Sequence, residues 1–172
     1  AEQLDAVRND LTAHYQLTAD IDLSENKSWT PIGKFAGTAE DPDMPDPSVA
    51  FTGTFNGGGH TISNLKINDA ATARGVGLFG CTAGSAVISD LTVKNAAVSA
   101  KAGNGVAAVV GMALQTNDAA IKNVALVGDN TISGISMVGG IIGGGYCGVE
   151  SCTASADIVL LSGAGNSAGI LA

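Results

Sequence analysis

The chain has few basic residues and few aromatic residues, and both shortages limit what it can bind. Lys and Arg together number 8 of 172 residues against 16 Asp and Glu, which gives a net charge of −8, and aromatic residues make up 4%. An acidic surface repels phosphate backbones, and no basic stripe with interleaved aromatic residues is present, so the sequence predicts no nucleic-acid partner. No window reaches the roughly 20 apolar residues that span a bilayer, so no membrane-spanning segment is predicted.

Cysteine is scarce as well. The three cysteines, Cys81, Cys147 and Cys152, cannot all pair within one chain. Two interpretations stay open: Cys147 and Cys152 close a small loop, or all three are small buried thiols. A zinc site would need a fourth ligand and a paired Cys or His cluster, and neither is visible.

The chain also lacks a recognisable catalytic motif. No Gly-x-Ser-x-Gly or His-Glu-x-x-His sequence occurs, and His14 and His60 lie beside turns. Asp20 and Asp22 would share one face of a strand, which we interpret as solvated. The lysines that a β-helix lyase would use are scattered: Lys66, Lys94, Lys101 and Lys122. We therefore predict a protein that is not an enzyme and needs no cofactor.

Glycine, by contrast, is abundant, with 24 residues, and it recurs at a fixed spacing. The run Gly-Val-Gly-Leu-Phe-Gly-Cys at 75–81 returns in weaker form at 105–111 and 139–144, and in outline at 167–172. Gly80 and Gly111 are 31 residues apart. A short apolar run with glycine beside it at such a period is typical of a stacked repeat.

Two further short elements recur with the glycine runs. Ile-Ser-Asn-Leu-Lys-Ile at 62–67 is matched at 88–93, 121–126 and, loosely, 149–154, and a fainter run returns at 98–100, 132–134 and 161–163. Three strand-like runs in each repeat of 26–33 residues predict an all-β fold. We expect a right-handed parallel β-helix, a three-sided solenoid of about five coils.

This alignment of repeats predicts two sets of residues. Short polar residues at the third place of the element would form a structural ladder along the stack, because they tolerate left-handed backbone and bond one another: Asn64, Asp90, Asn123 and Ser151. The predicted core residues are Phe55, Ile62, Leu65, Leu78, Phe79, Leu91, Val93, Val124 and Ile141.

The first residues differ from the repeats. Leu4, Val7 and Leu11 have helical spacing, so residues 2–11 are predicted to form a short amphipathic helix. We assign residues 1–14 to this N-terminal cap, which would cover the first coil. Residues 15–172 would be parallel β-helix repeats that begin with a strand over 15–23.

An acidic, proline-rich insertion interrupts the repeats at 36–50. Asp41, Asp43 and Asp46 are weak candidates for a calcium site, but the spacing lacks the glycine turn and the terminal glutamate of an EF-hand loop. A plain solvated loop is the favoured interpretation, so no metal is predicted.

The stretch Gly77-Leu78-Phe79-Gly80 resembles the core of the GLUG repeat. The stretch Trp-Thr-Pro-Ile-Gly at 29–33, followed by 51–65, is similar to the segment that precedes this core, and the resemblance covers almost the whole chain from Leu4. It implies a bacterial cell-surface or secreted protein, often adhesin-like. Some immunoglobulin A-cleaving metallopeptidases carry the same repeats.

The favoured hypothesis is a non-catalytic extracellular module that binds a glycan or a host or cell-surface protein, or acts as a rigid spacer. The alternatives are a polysaccharide-active β-helix lyase or glycosidase, and a scaffold segment of a larger surface metallopeptidase. A rung that ends at Ala172 would leave free amide and carbonyl groups. We expect further coils, a cap or an end-to-end contact with a second molecule there.

Overall fold

The fold is described from a computed structural model of the chain. It describes residues 1–37, 41, 45–69, 71, 74–115 and 120–161, together with the backbone of 167–168. Residues 169–172, with which the predicted terminal rung ends, lie outside these residues.

The N-terminal helix is shorter than the predicted span of 2–11. It consists of an α-helix, α1 (Glu2–Asp5), continued by a 3₁₀ helix (Ala6–Asn9), and it buries Leu4 and Val7. It ends because the carboxylate of Asp10 accepts bonds from the backbone N–H and the hydroxyl of Thr12. Such a local turn competes with the next helical hydrogen bonds.

The rest of the described chain is built from short strands. In order they are β1 (His14–Gln16), β2 (Ile21–Asp22), β3 (Thr54–Asn56), β4 (Thr61–Ser63), β5 (Lys66–Asp69), β6 (Arg74–Val76), β7 (Phe79–Gly84), β8 (Val87–Lys94), β9 (Ala97–Ala100), β10 (Asn104–Val106), β11 (Val110–Gln115), β12 (Ile121–Val127), β13 (Thr131–Gly134), β14 (Ser136–Gly139), β15 (Ile142–Tyr146), β16 (Val149–Glu150), β17 (Thr153–Ala154), β18 (Asp157–Leu160) and β19 (Ser167–Ala168). The fold is therefore all-β.

The strands form four sheets, and every pairing between these strands is parallel. The orders are β1-β3-β8-β12-β16 with β2, β4 and β17 joined to it, β5-β9-β13-β18, β6-β10-β14-β19, and β7-β11-β15. Each strand thus pairs with the equivalent strand of the next repeat. Parallel neighbours need a long connection between them, and here that connection is the remainder of the repeat.

The structure has four strand groups per repeat where the sequence predicted three runs. The glycine-flanked run at 75–81 contains the end of β6 and the start of β7, with a corner between them. The predicted strand over 15–23 is likewise split into β1 and β2. The break lies opposite the turn at 57–60 of the next repeat. Tyr15 pairs with Phe55 before that turn, and Ile21 pairs with Ile62 after it.

Close backbone approach explains why glycine recurs in this corner. A Cβ placed on Gly111 would lie 2.3 Å from the backbone nitrogen of Val76, and one on Gly143 would lie 2.3 Å from that of Val106. No real side chain fits at such a distance. The period seen in the sequence is therefore the period of a contact between neighbouring repeats.

The main apolar core runs through all of the repeats. Its aromatic centre is Phe79, whose ring centroid lies 5.0 Å from that of Phe51 and 5.2 Å from that of Phe55. Each of the nine predicted core residues is at most 1% exposed: Phe55, Ile62, Leu65, Leu78, Phe79, Leu91, Val93, Val124 and Ile141.

A second, smaller core lies against the sheet β7-β11-β15. It contains Cys81, Met112 and Leu114, whereas Ala113, which lies between Met112 and Leu114 on β11, belongs to the main core. Side chains alternate across a strand, so the two clusters occupy opposite faces of this sheet. Ala50, at the end of the 36–50 insertion, is fully buried in the second core. The sequence predicted a solvated loop at 36–50, but the insertion is not wholly solvated, because Ala50 is buried.

Candidate functional site

Three of the four predicted ladder residues share one column. The register of β8, β12 and β16 places Asp90 beside Asn123 and Asn123 beside Ser151. Their φ angles are 52°, 50° and 54°, the left-handed conformation that short polar residues tolerate. The Asn123 Nδ2 donates to Asp90 Oδ1 at 2.8 Å. This hydrogen bond contributes most to lowering the pKa of Asp90, and a hydrogen bond from the Ser89 side chain contributes next.

Asn64 belongs to a different column, so this part of the predicted ladder is wrong. Ile62 pairs with Val93 rather than with Ile88, and the Asn64 N–H donates to the Lys94 carbonyl. Asn64 consequently stands beside Asn95, with φ angles of 60° and 55°. The short Ile-Ser-Asn/Asp-Leu pattern marks a left-handed bend wherever it occurs. The repeats of β8 and β12 each contain two such bends, and a pattern of four residues does not distinguish the first bend from the second.

The alignment of the repeats also predicts that Leu65 shares a column with Leu91 and Val124. For the same reason this prediction is wrong for Leu65. Lys66 pairs with Ala97, so Leu65 stands one residue before that pair, in another part of the repeat. Leu91 and Val124 pair directly.

The paired carboxylates of the first rung take part in turns. Asp20 Oδ1 accepts from the Thr61 N–H at 2.9 Å and contacts His60 Nδ1 at 3.2 Å, and the first of these bonds contributes most to lowering the pKa of Asp20. Asp22 Oδ1 accepts from Asn64 Nδ2 at 2.8 Å and from the Ser24 N–H at 2.9 Å. These bonds lower the pKa of Asp22, the Asn64 bond most. Both carboxylates hold neighbouring turns together.

The remaining histidine also has a structural contact. His14 Nδ1 lies 2.7 Å from the hydroxyl of Thr54, its neighbour in the adjacent strand.

The calcium candidates are only partly described. Asp43 lies outside the described residues. Asp46 Oδ1 accepts from the Ser48 N–H at 2.9 Å and caps that turn, and Asp41 is exposed. Within the described part of the chain, no three His, Cys, Asp or Glu side chains come together as a metal site would require.

All three cysteines are free thiols. Burial raises the pKa of Cys81 to about 12. The pKa of Cys147 is raised to about 11, mainly by burial and to a smaller extent by the nearby Cys152. A thiol with so high a pKa is protonated near neutral pH and is a poor nucleophile.

Asn130 is a structural residue that the sequence analysis missed. It is 3% exposed. Its Oδ1 accepts from the Ala96 N–H at 2.7 Å, and its Nδ2 donates to the carbonyls of Val127 and Ser155, at 2.9 and 2.8 Å. Asn130 thus bonds the repeats before and after its own. In the sequence, Asn130 follows Gly128 and Asp129, a combination typical of an ordinary turn. No equivalent asparagine recurs in the other repeats to indicate a structural role.

The chain is similar in sequence to known proteins. It is 41% identical over 145 residues to halomucin of Haloquadratum walsbyi, an alignment that covers 81% of this chain. It is 30% identical over 133 residues, or 73% of this chain, to a protein of Evansella cellulosilytica described as a Gly-rich membrane protein. Neither relative carries the name of an enzyme, which agrees with the expectation that this chain is not one.

The chain spans about 2% of the length of halomucin and 14% of that of the Evansella protein. No protein-family model matches it, and no solved structure matches it either. None of the helices in the described ranges is sufficiently long and apolar to pass through a bilayer.

Proposed function

We propose that this chain is a non-catalytic module of a larger surface protein, in which it serves as a stiff spacer and displays a binding face. The observation that carries the proposal is the pairing of equivalent strands. Phe55, Ile88, Ile121 and Val149 pair one after another across four successive strands. A stack of this kind has a continuous interior and transmits force along its length through neighbouring repeats.

The architecture we propose is a right-handed parallel β-helix. Parallel strands of one sheet joined by a crossover are right-handed in almost all known cases, because of the twist of the strands. Five rungs, from Tyr15 to Val149, would stand about 24 Å tall at about 4.8 Å per rung. We further propose that the repeats are of the GLUG type and that residues 1–14 cap the first rung, as the burial of Leu4 and Val7 supports.

The names of the relatives support the surface location. A mucin and a membrane protein are both proteins of the cell boundary, and we propose that this chain is secreted or displayed at the cell surface. One relative comes from an archaeon, so the names support the location rather than a bacterial origin. The adhesin-like role, with a glycan or a protein as partner, is part of the proposal.

A zero-length cross-link tests the stack. The Lys122 ammonium lies 3.5 Å from the Glu150 carboxylate across two adjacent repeats. A carbodiimide should join these two side chains, and mass spectrometry of a digest should find the joined peptides. Glu150→Gln is the matched control that should remove the product. Failure to find it in the wild-type protein would contradict this register.

A second experiment tests the absence of catalysis. The protein is incubated with a panel of acidic polysaccharides in the presence of calcium, and chain length is followed by size-exclusion chromatography. We expect no shortening of any polysaccharide. Bond cleavage by the purified protein, lost on heat denaturation, would refute the non-catalytic role.

A further inference from the structure

A shallow cavity of about 310 Å³ lies on the outer face of the sheet β5-β9-β13. We call it the lysine groove, and the residues that matter in it are Lys27, Lys66, Asn68, Ser99, Thr131 and Ser133. It shares no residue with the ladder columns described above.

The register of the sheet explains why these side chains face outward. Ile67, Val98 and Ile132 are paired along the sheet and are at most 3% exposed, so they face the core. The residues on either side of them must point to solvent. One outer column therefore runs through Asn68, Ser99 and Ser133.

The second outer column runs through Lys66, Ala97 and Thr131. Each column offers one outward side chain per rung, at a spacing of about 4.8 Å. The floor of the groove is thus a regular grid of hydroxyl, amide and methyl groups.

A wall of the groove comes from the rung before β5. The Trp29 N–H donates to the Lys66 carbonyl, and the Ser28 hydroxyl accepts from the Asn68 N–H at 3.1 Å. These bonds hold the 27–29 segment alongside β5. They place Lys27 at the groove beside Lys66, although the two residues are 39 positions apart in the chain.

The groove concentrates positive charge on an acidic protein. Two of the 8 basic residues of a chain with net charge −8 line it. Both lysines are exposed, and neither forms an ion pair with a described residue. Asp22, the acid whose pKa Lys66 helps to lower, is already bonded to Asn64 and Ser24. The two ammonium groups are thus available to an anionic ligand.

We propose that the lysine groove binds an acidic polysaccharide that carries uronate carboxylates, with Lys27 and Lys66 pairing the carboxylates. Asn68, Ser99, Thr131 and Ser133 would hydrogen-bond sugar hydroxyls. This inference rests on the proposed function, because it assigns a ligand to the displayed face.

The chemistry of the groove favours a glycan over other polymers. A repeated polymer matches a grid that repeats along the stack. An extended peptide would pair with a strand edge rather than lie across the face of a sheet. Single-stranded nucleic acid would need aromatic side chains on which its bases could stack, and no aromatic residue lines the groove.

The test uses polygalacturonate and its fully methyl-esterified form, which has the same backbone without the carboxylates. Binding is measured by affinity electrophoresis and isothermal titration at about 0.15 M salt, where the Debye length is about 8 Å. We expect the wild-type protein to bind the acid and not the ester. Lys27→Ala combined with Lys66→Ala should weaken binding roughly tenfold, because two surface ion pairs are lost.

A charge-matched control removes two lysines elsewhere. Lys94→Ala combined with Lys122→Ala changes the net charge equally, and both positions lie in the sheet that contains β8 and β12. This control should change the affinity by less than about twofold, since surface charges beyond a Debye length are largely screened. Ser99→Asp, which puts a carboxylate into the groove, should weaken binding more than the control while changing the charge less. Far-UV circular dichroism verifies that each variant is folded.

Three results would overturn the proposal: no binding of polygalacturonate by the wild-type protein, equal binding of the ester, or equal losses in the two double variants. The last would mean that binding follows net charge alone. The Lys122–Glu150 cross-link reports on the stack independently. A protein that forms the cross-link but does not bind would refute the groove and leave the architecture standing.

Discussion

Replacing Phe79 by Ala is the most direct test of the proposed continuous interior. Phe79 is fully buried, and its ring packs against the rings of Phe51 and Phe55. Truncating a buried Phe costs about 3–5 kcal/mol, from lost transfer energy and from the cavity that remains. Two aromatic contacts, each worth about 0.5–1.5 kcal/mol beyond area burial, place Phe79 toward the upper end of that range. We expect a loss of about 4–5 kcal/mol in the free energy of unfolding.

The assay is urea unfolding followed by far-UV circular dichroism, with wild type and variant compared by midpoint and slope. Tyr146→Ala is the control, because Tyr146 is 55% exposed, and such surface changes cost about 0.5 kcal/mol or less. A Phe79→Ala loss below about 1 kcal/mol would mean that this ring is not packed in the core. A reduced slope would show instead that part of the stack had unfolded before the main transition.

The remaining predictions concern one glycine contact, one buried amide and one thiol. Gly111→Ala should cost about 3 kcal/mol or more, the upper end of the range for overpacking, because the new Cβ would overlap the backbone at Gly75 and Val76. A Cβ on Gly59 would meet nothing within 4 Å, so the cost of Gly59→Ala comes only from the left-handed backbone conformation and should be about 1–2 kcal/mol. If both cost the same in urea unfolding, the close approach is absent. Asn130→Ala should cost about 1–3 kcal/mol, because it leaves the buried Ala96 N–H without a partner; an unchanged unfolding midpoint would contradict this. Cys81, whose pKa burial raises to about 12, should resist iodoacetamide at pH 8 until urea unfolds the protein. Mass spectrometry that found Cys81 alkylated in the native protein would show that it is accessible.

The recurrence of short patterns was enough to predict the class of fold. The spacing of the glycine runs corresponds to a backbone contact at Gly111 and Gly143 that leaves no room for a side chain. The alignment of the repeats identified buried side chains such as Leu91 and Val124, which pair across β8 and β12. Such features are local, because glycine tolerance and strand alternation depend on the immediate backbone.

The candidate site was less predictable, because its parts come from different repeats. Nothing in the sequence near Lys27 indicates that it lies beside Lys66, since hydrogen bonds between the two rungs place it there. Asn130 reads as a turn residue until its bonds to Ala96 and Ser155, in the two neighbouring repeats, are known. The second apolar cluster was missed because both faces of β11 are covered, so its strand shows no alternation.

The period, the all-β character and the identity of the main core residues could be predicted from the amino-acid sequence, since they follow from the recurrence of short patterns and from apolar spacing. The register could not be predicted, because it depends on packing between repeats. Asn64 and Asp90 occupy the same local pattern, yet the first stands beside Asn95 and the second beside Asn123. Backbone hydrogen bonds between parallel strands are indifferent to side-chain identity, so a left-handed bend that occurs twice in one repeat can pair in more than one way. The packing of a rung on its neighbour, about 30 residues away in the chain, selects one pairing.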